Sequence, residues 1–147
     1  MRNSILRIFS GLRESIQTRH KRTERQKLGD AGESLAAQYL KSEQNYTIVK
    51  RNWRQGRHEL DIVAKDGPTL VFIEVRARKK TAKVSGYQSI TKKKKESLRE
   101  AIRAYLNCMS QRAPNFRFDI VEIAHSSCDP KEVRHFKSIP LFHRHFF

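Results

Sequence analysis

The chain has 147 residues, with 31 Lys and Arg against 15 Asp and Glu, a net charge of +16 and a pI near 10.4. That length allows one domain with a real core and is too short for two ordinary ones, while the charge favours a polyanionic partner, either nucleic acid or an anionic membrane surface. No window approaches 18 consecutive apolar residues, which excludes a spanning helix, and there is no internal repeat, glycine-rich phosphate loop or supported Ser/His/Asp or Cys/His set.

Residues 1–27 read as a basic extension, with eight Lys and Arg against Glu14 and Glu24. Ile5, Ile8, Phe9, Leu12 and Ile16 recur at helical spacing, so the first half fits a short amphipathic helix. Charge interrupts the apolar residues, unlike a signal-peptide core. Three readings stand for it: a nucleic-acid-binding or flexible arm, membrane-surface association, or a helix packed on the domain.

Residues 28–147 read as a single domain. Asp30 and Glu33 have the spacing of a capping box and would open a helix over about 31–44, with Leu35, Ala36, Tyr39 and Leu40 inward. Tyr46–Trp53 reads as a first strand, and Gln55-Gly56 as the turn into a central pair. Trp53 suits core or sheet-edge packing, and His58 stands alone at a strand start. Residues 58–64 and 70–77 alternate apolar and polar around the turn residues Lys65-Asp66-Gly67-Pro68-Thr69. Alternation puts Glu59, Asp61 and Val63 on one face and Leu60, Ile62 and Ala64 on the other. In the next strand Phe72, Glu74, Arg76 and Arg78 share a face, opposite Val71, Ile73 and Val75.

After Arg78 come Lys79, Lys80 and Lys83, a loop around Gly86, and the lysine run Lys92, Lys93, Lys94 and Lys95. Ser89 or Thr91 can cap a helix over about 91–109 that buries Leu98, Ala101, Ile102, Tyr105 and Leu106. Lysines in a first turn oppose the helix dipole. Free N–H groups and lysines together suit a phosphate, the alternative being a solvated charge run. Phe116–Ile123 alternates as a fourth strand, with Phe118 and Ile120 opposed to Arg117, Asp119 and Val121. Ser126 to Pro130 is a turn, and Val133–Pro140 an edge strand. In the tail, His143 and His145 have ligand spacing without supporting context, and the phenylalanines suit covering an open part of the sheet. Cys108 and Cys128 lack metal-type spacing, and two free thiols in a reducing cytosol is the simpler reading, a disulfide staying open.

The order is helix, three-strand meander, crossover helix, fourth strand. It gives an α/β fold in which helices flank a mixed sheet and the fourth strand runs parallel to the third. Neighbouring strands then bring Asp61, Glu74 and Arg76 side by side. Mg²⁺ or Mn²⁺ takes oxygen ligands and needs only one or two carboxylates beside substrate phosphate, and a nearby cation stabilises developing charge. An ion-pair ladder on a solvated face is the plainer alternative.

The stretch HELDIVAKDG–LVFIEVRAR resembles the paired motif of the YraN-like family, uncharacterised bacterial proteins assigned to the restriction-endonuclease-like, or PD-(D/E)-x-K, nuclease fold. GDAGESLAAQYL at 29–40, RNWR at 51–54, Ser89-Ile90-Thr91 with Lys94, AIRAYL at 101–106 and RFDIVEI at 117–123 extend the likeness in order. The resemblance implies a restriction-endonuclease-like core with acidic site positions at Glu33, Asp61 and Glu74 and the motif cation at Arg76. The usual final motif residue is Lys. Arg stays protonated and holds phosphate but does not serve as a general base, so the metal suffices, Lys94 reaches in, or catalysis has been lost.

The reading is a metal-dependent endonuclease-like protein that binds nucleic acid, DNA before RNA, with structure-selective cleavage suggested by fold analogy. Asp61 and Glu74 would hold Mg²⁺ or Mn²⁺, Glu33 would position water or a second ion, and Arg76 would bind phosphate. Arg78 and Lys92 to Lys95 would hold the nucleic-acid backbone. The alternative is a non-catalytic nucleic-acid-binding module on a nuclease scaffold.

Overall fold

The structure is a computed structural model that describes residues 23–79, 90–111, 113–125 and 132–142. The amphipathic stretch at 5–16, the loop around Gly86, the turn with Cys128, and His143 and His145 lie outside these residues. Seven elements follow in chain order: helix α1 (Glu24–Ser42), strands β1 (Thr47–Gln55), β2 (His58–Asp66) and β3 (Thr69–Lys79), helix α2 (Lys92–Asn107), and strands β4 (Asn115–His125) and β5 (Glu132–Phe136).

Helix α1 starts earlier than the Asp30/Glu33 pair suggests. Its capping box is Thr23 and Gln26: the Gln26 amide donates to Thr23 Oγ1 at 3.3 Å, and the Thr23 amide donates to Gln26 Oε1 at 2.8 Å. Glu33 is thereby a mid-helix residue, and its carboxylate is not needed as a cap. The helix closes at Glu43, whose amide donates to the Tyr39 carbonyl.

The strands form one sheet in the order β1-β2-β3-β4-β5. The first three form an antiparallel meander, β4 lies parallel to β3, and β5 is antiparallel to β4. The β2–β3 turn is tight because Asp66 pairs with Thr69, leaving Gly67 and Pro68 between them. Gly67 takes φ +57 and Pro68 fixes φ negative, the combination a type II′ hairpin requires. The parallel step from β3 to β4 needs a crossover, and α2 lies within it.

Each face of the sheet carries a core. Leu60, Val63, Leu70, Phe72, Phe118 and Ile120 pack with Leu98, Ala101 and Ile102 of α2, and Trp53 and Tyr105 meet edge-on at 5.2 Å beside them. Ile62, Ala64, Val71, Ile73, Val121 and Ile123 pack with Ala36, Ala37 and Leu40 of α1. The result is a mixed α/β architecture of helix, mixed five-stranded sheet and helix. Among the described residues no helix is long and apolar enough to cross a membrane.

Strict alternation would set Leu60 with Ile62 and Ala64, and here the structure departs from it. Leu60 belongs to the α2 face with Val63, opposite Ile62. Alternation breaks between Leu60 and Ile62, beside the end of the β2–β3 ladder.

Helix α1 approaches β3 closely at Gly32, where an added Cβ would meet Ala77 Cβ at 3.6 Å, an ordinary contact. Gly32→Ala is therefore expected to raise stability by up to about 1 kcal/mol through helix propensity alone. Urea unfolding checks it, and a loss of stability would show that the backbones touch more tightly than this.

Candidate active site

The β2–β3 ladder runs from Asp66↔Thr69 to Ile62↔Ile73, and the next opposed residues are Asp61 and Glu74. There the side chain replaces the ladder: Asp61 Oδ2 accepts the Val75 amide at 2.8 Å. On the other side of Asp61, the flanking pairs Arg51↔Ile62 and Trp53↔Leu60 put Asn52 directly opposite, with φ +50. Asn52, Asp61 and Glu74 thus form a row across three strands at the point where β2 leaves β3.

Glu74 is only 4% exposed. Its Oε1 lies 3.0 Å from Lys94 Nζ and 3.7 Å from Arg76 Nη1, while its Oε2 is buried without a hydrogen-bond partner. The Glu74 and Asp61 carboxyls are close enough to shift one another's ionisation. Burial, then the Asp61 charge, push Glu74 up to about 7 against the opposing pull of Lys94 and Arg76. Burial also raises Asp61, partly offset by the Val75 amide and Lys94. Burial and mutual repulsion thus make a second negative charge on the pair costly near neutral pH, even with Lys94 and Arg76 beside it.

Lys94 arrives from the first turn of α2. Thr91 caps that helix, its Oγ1 accepting the Lys94 amide at 3.2 Å, and the turn contains no acidic residue. Lys94 thus belongs to the carboxylate centre. Lys92, Lys93 and Lys95, with Glu96 and Arg99, line an open hollow of about 620 Å³ beside it. Arg78, on β3, is 17% exposed and lies 3.5 Å from Glu122 on β4, so its guanidinium serves an ion pair within the sheet.

Glu33 reaches the same region from α1. Burial and then the Asp61 charge raise it, while the nearby Asn52 side chain lowers it. Its Oε2 is buried without a partner. Glu33, Asn52, Asp30, Ser34 and Arg51 line a second hollow of about 410 Å³. Asn52 escaped the reading of motif residues because an asparagine inside an alternating run carries no acid–base chemistry. The available signal was conformational, since Asn tolerates a left-handed backbone.

Among the described residues, no group of three or more His, Cys, Asp or Glu side chains converges tightly enough to cage a metal alone. Mg²⁺ does not need such a cage, because it keeps waters and takes one or two carboxylates with substrate phosphate. The donor set fits that mode: Asp61 and Glu74 are adjacent, repel one another when both are charged, and leave one buried carboxylate oxygen unpartnered. A divalent cation would offset that repulsion.

Comparison with known sequences agrees in extent with these elements. The profile of the uncharacterised protein family UPF0102 matches residues 32–123, from within α1 to within β4. A UPF0102 protein of Chlorobium limicola is 41% identical over 109 residues, covering 74% of this chain and 84% of the relative. One from Desulfosudis oleivorans is 44% identical over 98 residues, covering 67% and 79%. Another, from Lawsonia intracellularis, is 35% identical over 116 residues, covering 79% and 86%.

Proposed function

The chain belongs to the uncharacterised UPF0102, or YraN-like, family, and from this premise we propose that it is a metal-dependent endonuclease acting on nucleic acid, DNA before RNA. The single observation that carries the reading is Glu74. A nearly fully buried carboxylate, set against a second carboxylate, with one oxygen unpartnered and two cations at the other, is costly unless a cation or a reaction uses it. The restriction-endonuclease-like core is part of the same proposal, as the mixed sheet and its two flanking helices are compatible with it.

In this mechanism Asp61 and Glu74 would hold Mg²⁺ or Mn²⁺, which when bound would polarise the phosphodiester and offset charge in the transition state. The Val75 amide holds Asp61, and Lys94 with Arg76 faces one oxygen of Glu74 and leaves the other for the cation. Arg76 and Lys94 contribute positive charge to the scissile phosphate, and Arg76 does so as a planar fork that stays protonated. Glu33 faces the centre from α1 and orients the attacking water or a further ion. Lys92, Lys93 and Lys95 hold flanking phosphates, which carry no sequence information, so affinity falls steeply with salt and sequence preference is weak.

The test is a labelled panel of single-stranded, duplex, flapped and four-way DNA, with RNA counterparts, incubated with Mg²⁺, Mn²⁺ or EDTA. Wild type is expected to cut with metal, and Asp61→Asn to lose cutting while retaining binding. A second reading, a non-catalytic nucleic-acid-binding module, draws on Lys94 already standing as counter-ion to Glu74. Tight binding with no cutting of any substrate in either metal would establish that reading and overturn the first.

A further inference from the structure

Asn52 is, among the described residues, the only non-glycine inside a strand with a positive φ. A left-handed backbone is unfavourable for an L-residue, and asparagine bears it better than most. The strain falls opposite Asp61, in the row where the β2 face alternation breaks and the β2–β3 ladder stops. A merely tolerant residue would leave its carboxamide idle. Here the carboxamide lies close enough to Glu33, on a different element, to favour its charged form, and Glu33 keeps one oxygen buried and without a partner. Both residues border the hollow of about 410 Å³, so a water or an ion has room to reach them. The adjacent Arg51 Nη2 donates to Ser34 Oγ at 3.0 Å, which ties the same stretch of β1 to α1 one residue beyond Glu33.

We infer that Asn52 is a positioning residue: its left-handed backbone at the strand break aims the carboxamide at Glu33 and holds that carboxylate toward Asp61, where it orients a water of the cation site. The inference rests on the reading of Asp61 and Glu74 as that site. It also accounts for the irregular backbone, since a regular strand residue at 52 would alternate away from its neighbours without regard to α1.

The experiment is Mn²⁺ binding by the full chain, followed through the free-ion electron paramagnetic resonance signal, for wild type, Asn52→Gly, Glu33→Gln and the double variant. Glycine accepts φ +50 without strain while removing the side chain and its carboxamide. Asn52→Gly is expected to weaken Mn²⁺ binding by about 10-fold or more, as loss of a group orienting a ligand does. The double variant is expected to bind no more weakly than Glu33→Gln alone, because Asn52 acts through Glu33. Asn52→Ala should lower the melting temperature while Asn52→Gly does not, which separates backbone strain from ligand positioning. Wild-type binding by Asn52→Gly, or fully additive losses in the double variant, overturns the inference while leaving the Asp61–Glu74 site intact. Absence of Mn²⁺ binding by wild type, or binding by Asp61→Asn equal to wild type, overturns both.

Discussion

Glu74→Gln is expected to abolish metal-dependent cleavage, by a factor on the order of 10³, and at the same time to stabilise the metal-free protein at pH 8 by about 1–2 kcal/mol. The two effects have one cause. Glu74 is buried beside Asp61, and its pKa is pushed from 4.5 to about 7. The folded state therefore holds a proton that the unfolded state has released, across the window between those values. Stability is greatest below pH 4.5 with respect to this group and falls as pH rises to about 7, by up to about 3 kcal/mol. Glutamine never ionises, so it escapes that loss, although Lys94 and Arg76 give up a charged partner and reduce the gain. Urea unfolding from pH 4.5 to 8 checks the sign: wild type should lose stability with rising pH, and Glu74→Gln should be flatter, with Asp61 keeping part of the slope. A steeper fall in Glu74→Gln would mean that the carboxylate is stabilising as it stands.

Asp119→Ala is expected to cost about 3–5 kcal/mol without touching the candidate site. Asp119 is fully buried on β4 and accepts from Arg117 Nε at 3.0 Å, from the Ser138 amide at 2.8 Å, and bonds His135 Nε2 at 3.0 Å. Arg117 continues to Asp66 at 2.9 Å and to the Tyr46 hydroxyl, so the network joins β4 and the residues after β5 to the β2–β3 turn and the start of β1. Removing the carboxylate leaves Arg117 without its nearest anion and frees the Ser138 amide. Burial alone would raise the Asp119 pKa, but hydrogen bonds with His135, Arg117 and Ser138 outweigh it and hold it below 3.8. The unfolded state then binds more protons in that acid range, so this contribution is fully present above 3.8 and is lost as pH falls through the lower folded value. Denaturant unfolding of Asp119→Ala and Asp119→Asn measures the loss. A cost below 1 kcal/mol in the alanine variant would show the network to be dispensable.

Much of the fold was legible because alternation and turn chemistry agree in the middle of the chain. Residues 58–64 and 70–77 lie within β2 and β3, and the parallel pairing of β3 with β4 follows from the helix between them. Asp61, Glu74 and Arg76 come together as alternation implied, and Lys94 reaches the same centre. The departures have local causes. Asp30 and Glu33 mimic a capping box, yet Thr23 and Gln26 form the actual one inside what reads as a basic extension. Leu60 changes face where the β2–β3 ladder ends, an effect of tertiary geometry that a period-two pattern does not encode. β5 stops at Phe136, ahead of Pro140, because Asp119 takes the Ser138 amide and Phe118 takes the Ile139 amide. Asn52 shows the limit most clearly, since its interest lies in a backbone angle.

In the proposed mechanism Asp61 and Glu74 bind a divalent cation. Calorimetric titration of Mn²⁺ into the metal-free full chain at pH 8 tests it without requiring the substrate to be known. Saturable binding by wild type, lost in both Asp61→Asn and Glu74→Gln while their unfolding transitions remain cooperative, is the predicted result. No binding by wild type, or binding that survives both substitutions, would contradict it.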